Sequence, residues 1–391
     1  MPIAVLQDLD VRGKRVLVRE DLNVPMRGTE IADYTRVDAA VPTLVWLRER
    51  GARTVILSHL GRPDGKPDPA LSLRPLAAAL AQRLAVPVGF CPDCIGETAQ
   101  RAVAALRDGD VLLLENVRFH PEEERNDPAF AAELAELGDA YVNDAFGTAH
   151  RAHASTEGVA HRLPHAAGLL MQAELAALAR LVEDPRKPFV AAIGGAKITD
   201  KIGVFQHLMD RVDAFCIGGG MANTFLAALG IDVGTSLRDD DIDPALFVLK
   251  IAKERTVDLH LPSDVVVAPS FDSDDARVTA VGDVAGEMIL DIGPATAQAY
   301  AHAIEQAKTL VFNGPMGVYE KPAYRHGTQV VGDAIARATA GGAFSVVGGG
   351  DAAAAAHLLG FADKVSHVST GGGATLEFLE GKTLPGVAAL A

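Results

Sequence analysis

The sequence predicts an α/β chain of two lobes, each a mostly parallel, doubly wound sheet flanked by helices, joined by a hinge helix. Three observations carry this expectation. Short β-branched runs alternate with longer Ala/Leu/Arg segments of helical period almost from end to end. At 391 residues the chain is too long for one core, given roughly 150 residues per domain. Hydrophobic residues make up 49% and aromatics only 5%, which suits parallel sheets covered by Ala-rich helices.

The predicted strands of the first half are Arg15–Arg19, Thr54–Ser58, Val111–Glu115 and Ala140–Asp144. Those of the second half are Phe189–Ile193, Ala214–Ile217, Asp264–Ala268, Thr309–Asn313, Phe344–Val347 and Lys364–Ser369. Their βαβα order implies parallel sheets with helices on both faces. Between the halves, Gly168–Leu181 reads as one amphipathic helix, with Leu170, Ala173, Ala177 and Leu181 on one face. The charged double-proline break Glu183–Pro188 follows it. The expected domains are 1–168, completed by a tail from about 375 to 391, and 169–374 with the hinge helix at its start.

A net charge of −15 excludes unspecific attraction to nucleic acid or anionic lipid, so an anionic ligand needs a local cluster of cations. No apolar run is long enough to span a bilayer. The start, Met1 to Arg12, has no apolar signal core, so a cytoplasmic location is expected. Three cysteines exclude a disulfide framework. Cys91 and Cys94 have C-x-x-C spacing, but zinc would need two more ligands of similar type and none is evident. They read as buried or semi-buried thiols in a reducing compartment.

Ligands of doubly wound sheets bind beyond the carboxyl ends of the strands, so the residues after each run matter most. In the first lobe these are polar and cationic: Arg19–Pro25, Ser58–Pro63, Glu115–Phe119 and Asn143–His153, with Arg36 close behind the first. Several arginines converging from different strand ends would capture a small, multiply charged anion, because each offers a planar fork of donors. In the second lobe the strand ends are glycine: Gly194-Gly195, Gly218–Gly220, Gly314, Gly348–Gly350 and Gly371–Gly373. Without Cβ atoms the backbone can approach phosphate closely, so this lobe is expected to take a nucleotide.

Lys197 and Lys201 stand four apart and are expected on one face of a helix beginning at Gly194-Gly195. Asp351 follows three glycines, placed either to hold Mg²⁺ on nucleotide phosphates or to cap the following helix. The chain lacks G-x-x-x-x-G-K-S/T, the protein-kinase motif set and the G-x-G-x-x-G of a nicotinamide dehydrogenase. A two-lobed solute-binding protein would leave the glycine-rich lobe unexplained.

These stretches, in this order and over essentially the whole chain, resemble the phosphoglycerate kinases. The likeness extends through Asp291–Pro294, Val311–Glu320 and Ser369–Leu379. It implies reversible, direct in-line transfer of the γ-phosphoryl of MgATP to the carboxylate of 3-phosphoglycerate, on hinge closure of a monomer. By the same likeness Asp21, Asn23, Arg36, His59, Leu60, Gly61, Arg62, Arg118, His150 and Arg151 would hold phosphoglycerate. Lys197, Lys201, Gly219, Gly293, Asn313, Glu320, Gly349, Gly350, Asp351 and Ala352 would hold the nucleotide, with Asp351 on the metal and Glu320 at the ribose. An ionised carboxylate needs no general base, so positioning and charge compensation suffice. Arg36, Lys197 and the backbone of Gly371 and Gly372 are assigned those roles, and the Gly371–Gly373 turn shares the hinge with the Gly168–Leu181 helix. Glu20, Leu22, Tyr319 and Ala352 depart from the residues usual in the family: Val, Phe, Phe, and Ser or Thr.

Overall fold

The computed structural model describes residues 3–391. The chain divides into two units: the first runs to Leu175 and takes back Thr383–Ala391, and the second is Ala176–Lys382. The division falls inside the helix Leu169–Val182 and not at its start. The chain returns to the first unit at Thr383, later than the expected 375. The cause is the helix Gly373–Leu379, which packs on Ile202–Leu208 of the second unit.

The first unit is built on a six-stranded, wholly parallel sheet. Its strands lie in the order Val88–Cys91, Val111–Leu114, Arg53–Leu57, Arg15–Arg19, Ala140–Asn143 and His165–Ala167. Val16, Leu17 and Val18 of the central strand are fully buried, as a strand covered on both faces must be. The helices Thr35–Glu49 and Arg74–Leu84 pack their Val37, Leu44, Leu76 and Leu80 into this core. The tail is held by backbone bonds: Gly386 N–H donates to the Ala149 carbonyl at 2.8 Å, and Ala4 N–H to that of Leu390 at 3.1 Å.

The second unit has its own six-stranded parallel sheet. The order is Asp258–His260, Ala214–Ile217, Phe189–Ile193, Thr309–Asn313, Phe344–Val347 and His367–Val368. Counted along the chain within this sheet, that order is 3-2-1-4-5-6, the doubly wound dinucleotide-fold arrangement. Asp264–Ala268, expected in the parallel sheet, instead centres an antiparallel ribbon with Arg277–Ala280 and Met288–Ile292. An apolar run signals burial but carries no strand direction, which is why the sequence could not place it. The last predicted strand is also shorter: Ala362–Lys364 forms a 3₁₀ turn before His367–Val368. Among the described residues no helix is long and apolar enough to cross a membrane.

Candidate active site

In the first sheet the strand order changes direction between Arg15–Arg19 and Ala140–Asn143, so their carboxyl ends open the crevice where ligands enter. Arg19, closing the first of these strands, is wholly buried. Its guanidinium donates to Ser155 Oγ at 2.8 Å, to the Glu20 carbonyl and to His59 Nδ1 at 3.1 Å. Ser155 Oγ–H donates in turn to Glu123 Oε1 at 2.5 Å, bringing a buried carboxylate toward the buried cation. A guanidinium can only donate, so His59 Nδ1 accepts and the ring proton sits on Nε2. Burial, then Arg19, Arg118 and Arg36, push the His59 pKa well below its usual value, so the ring is a neutral donor.

Around this anchor the loops form one network. Arg36, half-buried in the first turn of its helix, donates to Asp21 Oδ1 at 2.8 Å and to the Asn23 carbonyl at 3.1 Å. Asn23 Oδ1 accepts the Gly61 N–H at 2.8 Å, and the Gly61 carbonyl accepts from Arg118 at 2.9 Å. Gly61 has φ +64 and lies against Leu71, so a side chain there meets both strain and a clash. Asn116 holds the same loop by donating to the Leu60 carbonyl at 2.8 Å. Arg151 Nε donates to His150 Nε2 at 3.2 Å, and Arg62 is exposed one residue beyond Gly61.

His153, not singled out in the sequence, belongs to the same cluster. Burial, then Arg118, Arg19 and Arg151, push its pKa down to about 3. The edge therefore collects charged arginines and keeps His59 and His153 neutral beside them. Arg118 stays charged at neutral pH although burial lowers its pKa to about 10. Arg36 is paired with Asp21 and Arg118 with Glu124 at 3.1 Å, so the cations are held in place by carboxylates at the margin of the cluster. Arg19 stood in the cationic strand end Arg19–Pro25, but its buried partners Glu123 and Ser155 escaped the sequence reading, because nothing in a one-dimensional pattern pairs a strand end with a residue more than a hundred positions away.

The second edge is different in kind. The strand order reverses between Phe189–Ile193 and Thr309–Asn313, and there the backbones of Gly194 and Gly314-Pro315 touch so closely that a Cβ on Gly194 would overlap them. Lys201 Nζ lies over this point and donates to the carbonyls of Gly194 and Asn313, each at 2.7 Å. Burial lowers its pKa to about 8, partly offset by Asp351 and Asp200. Lys197 and Lys201 do not share a helix face as expected. The helix begins only at Ile202, because Asp239 captures the Ile198 N–H at 2.8 Å and the Thr199 hydroxyl at 3.0 Å, holding the segment as a loop. Lys197 is exposed on that loop.

Further along the same edge, Asn313 Nδ2 donates to the Gly348 carbonyl at 2.8 Å. Gly349, at φ +100, is the N-cap of Gly350–Leu358, so Asp351 lies in the first turn with its side chain exposed and does not cap it. Ala352 is buried. Gly372, at φ +49, is the N-cap of Gly373–Leu379, and the Gly371 N–H donates to Ser369 Oγ at 3.1 Å. A cavity of about 530 Å³ opens beside these turns. Gly219, Glu320 and Asp351 line it; Lys197, Lys201, Gly293, Asn313, Gly349, Gly350 and Ala352 do not. Its walls are mainly apolar, with Leu237, Val265, Phe271, Leu290 and Val318 among them, which suits a flat heterocycle with its phosphates toward the glycine turns. Gly293 is the N-cap of Pro294–Gln306 and packs on Asp264. Asp291, which also lines the cavity, accepts the Gly327 N–H at 2.7 Å and has its pKa raised by burial to about 8.

Comparison with known proteins finds likeness over nearly the whole chain. A family model described as phosphoglycerate kinase matches residues 6–382. The chain is 54% identical over 388 residues to a phosphoglycerate kinase of Moorella thermoacetica, covering 98% of each. It is 54% identical over 391 residues to one of Chloroflexus aurantiacus, again covering 98% of each. Among solved structures, the phosphoglycerate kinase of Coxiella burnetii superposes with a TM-score of 0.90 at 43% identity, covering 100% of this chain and 99% of that one. That of Pyrococcus horikoshii gives 0.85 at 33% identity, covering 99% and 98%.

Proposed function

The chain belongs to the phosphoglycerate kinase family, a phosphotransferase with a carboxyl acceptor, and on that premise we propose how its residues do the work. The first unit takes 3-phosphoglycerate and the second takes ATP or ADP; the γ-phosphoryl passes in line to the acceptor carboxylate, reversibly. The observation that carries this reading is the contrast between two strand edges on one chain, one lined by arginine and neutral histidine, the other by glycine and one half-buried lysine.

The acceptor carboxylate is ionised at neutral pH, so no residue need remove a proton from it. This fits a site in which burial, then neighbouring arginines, keeps His59 and His153 neutral. Arg36, tied to Asp21, and Arg118, tied to Gly61, arrive pre-oriented and compensate substrate charge without losing rotamer freedom on binding. His59 donates through Nε2. On the nucleotide side the exposed Lys197, the backbone N–H of Gly372 and that of Gly371, once it leaves Ser369 Oγ, meet the charge that develops on the transferring phosphoryl. Asp351, an exposed hard-oxygen donor bordering the cavity, fits Mg²⁺, which takes one or two carboxylates together with phosphate oxygens and water. The bound ion would neutralise phosphate charge.

Transfer requires the two ligands to meet, and we place the pivot in Leu169–Val182, the helix the division crosses, and in the Gly371–Gly373 turn. Solution scattering should show compaction only with both ligands present. The protein is read as a cytoplasmic monomer whose partners are these small molecules, with no nucleic acid or membrane. The direct test is ATP consumption with 3-phosphoglycerate and Mg²⁺, coupled to detection of the acyl phosphate. Wild type should turn over, and Arg36→Ala and Lys197→Ala should each lose at least ~100-fold, the scale of one lost charge contact. Turnover unchanged in both variants would remove the assigned roles.

A further inference from the structure

We infer that Asp93, Cys94 and His120 form a binding site for a divalent transition metal of the zinc type, separate from the transfer chemistry. The C-x-x-C spacing lacked further ligands in sequence, and the fold supplies different ones. Asp93 and Cys94 lie in the loop between the strand Val88–Cys91 and the helix Gly96–Ala104. His120 closes the 3₁₀ turn Val117–Phe119. A carboxylate oxygen, a thiol sulfur and a ring nitrogen from these three all lie within 4.8 Å of one another.

That spacing is close to what a metal demands. Bond lengths of about 2.0–2.3 Å to N, O and S in a tetrahedron put donors about 3.3–3.8 Å apart, so small side-chain rotations close the site. The Asp93–His120 edge is already there, with Oδ1 2.9 Å from Nε2. The surroundings hold the donors in place. Asp93 Oδ1 also accepts the Cys94 N–H at 2.7 Å, and the His120 ring packs on Phe130 with centroids 5.2 Å apart.

Access and field both favour a cation. Cys94 is buried, whereas the side chains of His120 and Asp93 are 27% and 46% exposed, leaving an entry path and room for water as a fourth ligand. Burial, then the carboxylates Asp93, Glu123 and Glu115, push the Cys94 thiol up and keep it protonated until a metal displaces the proton, and the same negative field attracts a cation. One sulfur, one nitrogen and one oxygen select a borderline metal over Mg²⁺ or Ca²⁺. On binding, the Cys94 S–H bond breaks and an S–metal bond forms, its proton passing to solvent; the His120 Nε2–H that donates to Asp93 Oδ1 is given up as Nδ1 takes a proton from solvent, so the neutral ring coordinates through the Nε2 lone pair. The metal would clamp the loop of Asp93 to the turn that carries Arg118.

The test uses the full chain stripped of metal, titrated with Co²⁺ and then Zn²⁺. One Co²⁺ per chain should bind with a near-ultraviolet thiolate-to-cobalt absorption that Zn²⁺ abolishes, about one proton appearing per metal. Cys94→Ala should lose the band, Asp93→Asn and His120→Gln should each weaken binding at least tenfold, and Cys91→Ala and Cys216→Ala should keep both. Absence of saturable binding, or a band that survives in Cys94→Ala, overturns the site. Should Cys94→Ala fail to fold by circular dichroism, unaltered affinity in both Asp93→Asn and His120→Gln overturns it equally.

Discussion

His59 Nδ1 lies 3.1 Å from a guanidinium nitrogen of the wholly buried Arg19. The contact settles the tautomer, because only the histidine can supply the lone pair. Long-range ¹H–¹⁵N spectra should therefore show His59 neutral with Nε2 protonated from pH 8 down to 5. Burial and the arginines around it oppose protonation over that range. A doubly protonated ring at pH 6 would contradict the arrangement. Arg19→Met should cost ~3–5 kcal/mol in urea unfolding, since it strips the buried Glu123 of its nearby cation.

Glu20 is buried with neither carboxylate oxygen hydrogen-bonded within the protein. Burial, then Asp144, raises its pKa well above the carboxylate range, with Arg19 opposing. The folded protein thus binds this proton more tightly than the unfolded chain. The carboxyl's contribution is whole at low pH and is lost as pH rises through the raised value. Glu20→Gln should gain ~1–3 kcal/mol at pH 8 and little at pH 5, measured by urea unfolding at both. A gain that is larger at pH 5 would reverse the assigned sign.

Lys201 titrates near 8 in the free protein, and an anion at the glycine edge must raise that value. Nucleotide affinity is then greatest while the lysine is charged and weakens as pH climbs above 8. Calorimetry at constant ionic strength should find the Kd for ADP rising several-fold from pH 7 to 9, bounded by ~tenfold per pH unit. Lys201→Met should bind more weakly and with a flat profile over the same range. Parallel profiles for the two proteins would place the titrating group elsewhere.

Gly194 and Gly314 meet where the second sheet reverses its strand order. A methyl group on Gly194 has only the backbone of Gly314 and Pro315 to push against. Gly194→Ala should lower stability by ~3 kcal/mol or more, as overpacking against immovable atoms does, and should weaken nucleotide binding at least tenfold. Gly230→Ala is the matched control. Its positive φ carries strain, but nothing lies within 4 Å of a Cβ there, so nucleotide binding should stay intact.

The strands that the sequence located best are the fully buried ones, such as Phe189–Ile193, apolar throughout, and Thr309–Asn313, apolar over Leu310–Phe312, as burial on both faces requires. It passed over the edge strand Val88–Cys91, which is short, half-exposed and contains a glycine. It also placed Lys197 on a helix, because a four-residue spacing cannot reveal that Asp239 will seize the intervening N–H.

By itself the sequence determined the class of the fold, the two chemistries at the strand ends and the membership in a family. These rest on local pattern: apolar periodicity, glycine where the backbone must come close, arginine where an anion must be held. Only the tertiary structure decided that Arg19 orients His59, that His153 joins the arginine cluster, and that Asp93, Cys94 and His120 converge. Each of those depends on distances between segments remote in the chain, set by which strands pair and where their ends meet.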